Sequence, residues 1–308
     1  CGFSGKENPE VYKRNLSNLL EQDYEDKKIV WSACYNSRQV VDDILKYFGN
    51  KISVNIVNYN FSIHQSFNYT VSKSVEVFGH FDGYMYVASD ITFSRDLNGL
   101  SRLCKRLEDK ENGIISPEID KENGYYWCFG FEEGKNLFDD VYGREKDVVV
   151  PVGAAFNMHC QVFSDKILRE YGKVIPDVFS SYCMESVLSF VVSAIKQRIV
   201  IANDVLTHHN YDPNDRLTFG DGACQIYGGS WDKVFPGAKR TMREIMTDPL
   251  AREVGLGYEE WVPRYLHKVN VPKDKLYLIH DKNRYDENGF CVDNKLKNYI
   301  KDNLYLPK

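Results

Sequence analysis

Tyr84-Met85-Tyr86-Val87-Ala88-Ser89-Asp90-Ile91-Thr92-Phe93 is the stretch on which the reading of this chain turns. Apolar and aromatic residues lead into a single acidic residue, and an apolar and an aromatic residue follow. The pattern predicts a buried strand that delivers one carboxylate to its C-terminal edge. In open α/β sheets that edge is where ligands bind. Alone, the stretch would equally describe a strand ending in an ordinary turn aspartate, so the flanking elements decide.

Upstream, residues 9 to 26 predict a polar helix. Lys28-Ile29-Val30-Trp31-Ser32-Ala33-Cys34-Tyr35 is the first core strand, and Asn36-Ser37-Arg38 turns into an amphipathic helix from Gln39 to Phe48. Gly49-Asn50 stops that helix. A second strand is expected over Ile52–Asn58 and a helix over Gln65–Phe78, before Gly79–Gly83 turns back into the Asp90 strand. This β-α-β-α-β order predicts a parallel sheet with right-handed crossovers. Downstream, Arg95–Asp109 reads as helix and Gly113–Pro117 as a short strand. Residues 120 to 147 read as a surface excursion with a hairpin around Tyr125-Tyr126-Trp127. Val148–Asn157 returns to the core, Phe163–Tyr171 is a helix, and Val187, Leu188, Val191, Val192 and Ile195 mark an apolar helix over Met184–Arg198. Ile199–Ala202 is a last strand, followed by Thr207-His208-His209-Asn210. Further helices are expected over Thr241–Glu253 and Lys295–Leu304.

The 308 residues, 43% hydrophobic and 27% charged, suit one large domain or one domain with an extension. A net charge of -5 without a long Lys/Arg block disfavours non-specific binding to nucleic acid or anionic lipid. The 8 cysteines form no CxxC pair, and several sit within apolar runs, as buried free thiols of a reducing compartment do. No apolar run approaches the ~20 residues of a bilayer span, and no signal peptide is visible. A cytoplasmic protein is the expectation.

With the Asp90 strand, the Gly153 loop, the Glu185 helix and the His208-His209 pair in this order, the chain resembles the GT-A-fold nucleotide-sugar glycosyltransferases over roughly residues 27 to 212. That family has an apolar strand ending in an Asp-x-Asp motif, a Gly-containing acceptor loop, an acidic pair opening a helix, and a late His. Matching the strand sets Ala88-Ser89-Asp90 on the motif. Asp90 then takes the second Asp, the usual metal ligand, and Ala88 replaces the first. A frame starting at Asp90 would put Thr92 at the second Asp instead. The resemblance implies a GT-A, Rossmann-like α/β fold: a mixed, mainly parallel sheet flanked by helices. Residues 1–212 would form the nucleotide-sugar-binding catalytic domain. Residues 213–308, rich in Tyr and Trp, would form a mostly helical and loop extension packed on the acceptor side.

The resemblance also implies the chemistry. A diphosphate leaving group carries concentrated negative charge that a divalent ion must neutralise, and oxygen ligands with one imidazole suit Mn²⁺ or Mg²⁺. Asp90 with His208 or His209 would supply the ligands. Met184-Glu185-Ser186 falls on the acidic pair, with Ser186 where inverting members keep their base. Either Glu185 serves as general base, or transfer proceeds with retention. At the donor, Tyr35, Asn36, Arg38 and Asn58 end the first strands, Asn68 and Lys73 lie on the bordering helix, Ser89 precedes Asp90, and Gly153 lets backbone approach the sugar.

The function implied is metal-dependent transfer of a sugar from a nucleotide diphosphate sugar, with UDP favoured, to a hydroxyl acceptor on a glycan, lipid-linked glycan, protein or modified nucleic acid. The losses at Ala88 and Ser186 support an alternative, a non-catalytic GT-A-like domain that binds a nucleotide or glycan. Cys1-Gly2-Phe3-Ser4-Gly5 resembles the opening of class II glutamine amidotransferases, whose N-terminal Cys is a nucleophile, but the rest of that pattern does not follow.

Overall fold

A computed structural model describes residues 9–34, 38–57, 63–94, 96–119, 131–132, 135–136, 146–150, 159–176, 184–210, 286, 288, 290 and 294–305. The chain opens with α1 (Pro9–Glu21), β1 (Val30–Cys34), α2 (Arg38–Phe48), β2 (Ser53–Val57) and α3 (Ile63–Phe78). β1 and β2 pair in parallel, Val30 opposite Ser53 through Cys34 opposite Val57. Each expected element of this half is present, within a few residues of its expected bounds. α2 is amphipathic as expected, with Val41, Ile44 and Phe48 buried.

The Asp90 stretch forms two strands, β3 (Gly83–Val87) and β4 (Ile91–Phe93), separated by a turn at Ala88–Asp90. α4 (Gly99–Lys105), β5 (Asn112–Ile119), the small hairpin of β6 (Phe131–Glu132) and β7 (Lys135–Asn136), and β8 (Val148–Val150) follow. Next come β9 (Cys160–Ser164), α5 (Asp165–Tyr171), α6 (Met184–Ala194), β10 (Arg198–His209), and α7 (Asn294–Tyr299) running on as a π-helical turn to Leu304.

The central sheet has the order β3-β9-β5-β10-β4, with β8 also on β10. It is mixed, as expected. Among the described residues, parallel pairing is confined to β1–β2 and β5–β10. β3 was expected to continue the parallel run after β2, and instead lies antiparallel to β9. β9 itself was not anticipated. Phe163 and Ser164, read as helix, belong to this strand, and helix begins only at Asp165. All five β9 residues are buried, so the run shows no alternation to betray a strand. β10 is longer than the expected four residues. Its first half pairs with β8 and its end with β4, and the register against β5 shifts between Ala202 and Leu206. Arg106 spans that irregularity, donating to both Asp147 oxygens at 2.7 and 2.6 Å and to Asp204 at 2.6 Å.

Among the described residues, apolar clusters pack against these layers. Ile91, Phe93, Leu103, Leu107, Ile115, Val162 and Val205 fill one, against α4. Tyr12, Leu16, Ile44, Phe48 and Ile52 fill another. α1 contributes Tyr12 and Leu16 to the second core, and Leu19 packs against the first. α3 packs Phe67 against Tyr86 (5.5 Å between ring centroids) and Phe163 (5.7 Å), joining the β1–β2 layer to the central sheet. Within α6, residues 187 to 192 are all buried.

Candidate functional site

Asp90 closes the turn between β3 and β4. The Ile91 amide donates to the Ala88 carbonyl at 3.2 Å, and the Ala88 amide donates to His159 O at 2.8 Å, so the turn is bound to the segment entering β9. On its other side β4 pairs antiparallel with β10, Thr92 opposite His208 and Ile91 opposite His209. The Asn210 amide extends that ladder by donating to Asp90 O at 2.7 Å. The Asn210 side chain donates to Thr92 Oγ1 at 2.9 Å and to Asp90 O at 3.1 Å. Successive residues of a strand alternate in face, so Thr92 and its partner His208 are positions on one face. Ile91, 0% exposed, lies on the other.

Beside this turn runs a cleft of about 1160 Å³, between the edge of β1 at Val30–Ser32 and the edge of β3. Ser89 and Asp90 line one end, and Ser66 and Thr70 of α3 line its wall. Thr70 Oγ1 is within 2.9 Å of Ser32 Oγ and accepts from Asn55 Nδ2 at 2.9 Å. Burial, and after it the charge of Asp90, push the Tyr86 phenol well above its usual range. Tyr86 is therefore neutral at physiological pH.

At the far end of β3, Asp165 opens α5 and faces His80 Nδ1 at 2.7 Å, Tyr84 Oη at 2.9 Å and Arg169 Nε. Burial alone would raise its carboxyl, but the hydrogen bonds from His80, Tyr84 and Arg169 outweigh it and hold the group below the usual range. This cluster pins the start of β3 rather than addressing Asp90.

Of the residues singled out in the sequence, Ser89 and Asp90 line the cleft, and His208 stands opposite Thr92 in the ladder. His209 lies opposite Ile91 in the ladder. Glu185 stands in the first turn of α6. For these two only the backbone is described. Arg38 is the exposed first residue of α2. Tyr35, Asn36, Asn58 and Gly153 lie outside the described residues. Asn68 has its amide committed to the Ile175 backbone, donating at 2.7 Å and accepting at 3.0 Å. Lys73 pairs with Glu76 at 2.6 Å on the outer side of α3. Neither is a lining residue of the cleft.

Sequence reading overlooked Asn15, Asn18 and Gln22 of α1 and the residue following it. Asn15 Nδ2 donates to Ala88 O at 3.3 Å and to Ile91 O. Asn18 accepts from Phe93 N at 2.7 Å and donates to Phe93 O at 3.3 Å. Gln22 accepts from Leu100 N at 3.1 Å. Their spacing of three and then four residues, one face of a helix, was the available signal.

No protein-family profile matches the chain, and no curated protein matches it. Among solved structures it is similar to GalNAc-T7 with UDP, GalNAc and Mn²⁺, at a TM-score of 0.50 and 10% identity over 82% of this chain and 50% of that one. The chain thus spans about half the length of that protein. It is also similar to mannosyltransferase PcManGT from Pyrobaculum calidifontis in complex with GDP-Man and Mn²⁺, at a TM-score of 0.47 and 13% identity over 84% of this chain and 70% of that one. At such identities the likeness to GalNAc-T7 is one of fold: a mixed α/β sheet flanked by helices, of GT-A type.

Proposed function

We propose that the protein is a metal-dependent glycosyltransferase that moves a sugar from a nucleotide diphosphate sugar, a UDP-sugar by preference, to a hydroxyl acceptor. The observation that carries the proposal is the Asp90 turn, which sets a carboxylate just beyond the end of β3 in the lining of a large cleft. The fold likeness to GalNAc-T7, solved with UDP, GalNAc and Mn²⁺, supports the same class of chemistry.

One carboxylate and one imidazole suit Mn²⁺ or Mg²⁺. Among the described residues no three His, Cys, Asp or Glu side chains come together to hold an ion, so the proposal requires substrate oxygens and water to complete the shell. Asp90 with His208 or His209 would hold the ion, which when bound neutralises charge on the departing diphosphate. Tyr35, Asn36, Arg38 and Asn58 receive the nucleotide, Ser89 flanks the diphosphate, and Gly153 admits the sugar. Asn68 and Lys73 steady the helix behind the donor. The bond from the anomeric carbon to the diphosphate oxygen breaks, the acceptor oxygen bonds to that carbon, and Glu185 takes its proton unless transfer proceeds with retention. Residues 213–308 shape the acceptor side. No helix among the described residues is long and apolar enough to cross a membrane. The free thiols Cys104 and Cys160 support a reducing, cytoplasmic setting.

The test is nucleotide release from UDP-, GDP-, CMP- and dTDP-sugars, with Mn²⁺ or EDTA, for wild type and Asp90→Ala. Release from one donor, abolished by EDTA and lowered on the order of a hundredfold in the variant, is expected. Silence together with no donor binding by calorimetry would sink the proposal. Donor binding without turnover, even with acceptors present, would favour a non-catalytic nucleotide- or glycan-binding domain. Ala88, which offers no carboxylate and whose backbone is bound by Asn15, Ile91 and His159, favours that second reading.

A further inference from the structure

We propose that Asn15 is a positioning residue for Asp90: from α1 it clamps the two carbonyls that bracket the turn, opposite Asn210, which holds the Asp90 carbonyl from β10. The inference rests on the glycosyltransferase reading for its consequence and on geometry for its substance. Asn15 is only 6% exposed. Its amide nitrogen carries two hydrogens, and it donates to both Ala88 O and Ile91 O. Both donors are thereby used on the backbone immediately before and after Ser89-Asp90.

The pairing continues along the helix. Asn18 satisfies the amide and the carbonyl of Phe93 together, as a neighbouring strand would. α1 thus covers the edge of β4 that β10 leaves open, with side-chain amides replacing a strand's backbone. The Asp90 turn is thus held by two asparagines, Asn15 on the carbonyls of Ala88 and Ile91 and Asn210 on that of Asp90. Outer-shell groups of a metal site typically change ion affinity about 10–100-fold when removed; Asn15 would act through the backbone on either side of Asp90, without touching its carboxylate.

The experiment compares wild type, Asp90→Ala, Asn15→Leu and Gln22→Leu. Asn15→Leu keeps volume and removes the donors. Gln22→Leu removes a similar amide contact, to the segment around Leu100 rather than to the turn. Mn²⁺ binding is read by electron paramagnetic resonance, and backbone order by hydrogen exchange over residues 86–94. We expect Asn15→Leu to weaken Mn²⁺ binding at least about tenfold and to speed exchange at 88–92. Gln22→Leu should lower the unfolding midpoint and leave Mn²⁺ affinity unchanged. Equal effects of the two substitutions, or wild-type affinity and exchange in Asn15→Leu, would overturn the inference. If wild type binds Mn²⁺ no better than Asp90→Ala, the metal reading fails. The clamp then stands or falls on whether exchange at 88–92 rises in Asn15→Leu alone. Should Asn15→Leu not fold, Asn15→Ser, which retains one short donor, takes its place in the same comparisons.

Discussion

Asp165 shows how one carboxylate can bind three elements. It accepts from His80 before β3, from Tyr84 within β3 and from Arg169 one turn along α5. Its side chain is 12% exposed, so these bonds are only partly screened by water. Asp165→Asn should destabilise the protein by about 1–3 kcal/mol at neutral pH, because bonds to a charged acceptor become bonds to a neutral one. The folded-state carboxyl lies below its usual range, so its stabilisation is complete above the unfolded value of about 3.9 and is lost as pH falls through the lower folded value. Urea unfolding midpoints of wild type and Asp165→Asn should therefore differ most at pH 6 and draw together progressively as pH falls below about 4. A gap that persists unchanged to pH 3 would show that the charge is not what stabilises.

β3 leaves little tolerance at its start. It carries the Asp90 turn at one end, and its first residue is Gly83, opposite Ser164 of β9. A Cβ built on Gly83 would lie 2.6 Å from Leu107 Cδ1 and 2.8 Å from the Phe163 carbonyl oxygen. Leu107 can turn aside, but the Phe163 oxygen is backbone and cannot move without parting the β3–β9 ladder. Gly83→Ala should cost about 1–3 kcal/mol for this overpacking, read as a lower denaturation midpoint. Gly49, where nothing stands within 4 Å of a Cβ, is instead held by a φ of +59° that side chains disfavour. The two glycines are required for different reasons, one steric and one conformational.

The C-terminal segment returns to the core through α7. Lys297 and Lys301 reach Glu170 at 2.9 and 2.7 Å, but these pairs are partly exposed and contribute about 0–1 kcal/mol each. Burial of Leu296, Tyr299, Ile300, Leu304 and Tyr305 is the larger effect. Tyr305 stacks on Tyr171 with ring centroids 4.5 Å apart and an 8° interplanar angle, and its hydroxyl donates to Val174 O at 3.2 Å. Tyr305→Ala should cost about 3–5 kcal/mol, whereas Tyr305→Phe should cost about 1 kcal/mol for the hydrogen bond alone. Equal costs in calorimetric unfolding would mean that the stacking carries no weight.

Periodicity and punctuation determined a good deal by themselves. The spacing of Val41, Ile44 and Phe48 specifies α2, the apolar run before Asp90 specifies β3, and the helix at the C-terminus follows from its own pattern, because these signals are local. Asp90 could be singled out for the same reason, because it follows an apolar strand, whereas His208 and His209 were singled out by their order after Asp90 and Glu185 in the family resemblance. Tertiary structure alone decided the rest. β9 was hidden because a strand buried on both faces has no alternation, and the partners of β3 and β10 are set by contacts between distant segments. Only folding paired Thr92 with His208 and bonded Asn210 to the Asp90 carbonyl, turned Asn68 towards Ile175, and laid Asn15 and Asn18 along the edge of β4. A hydrogen bond between residues some 75 positions apart leaves no mark on the local pattern of either.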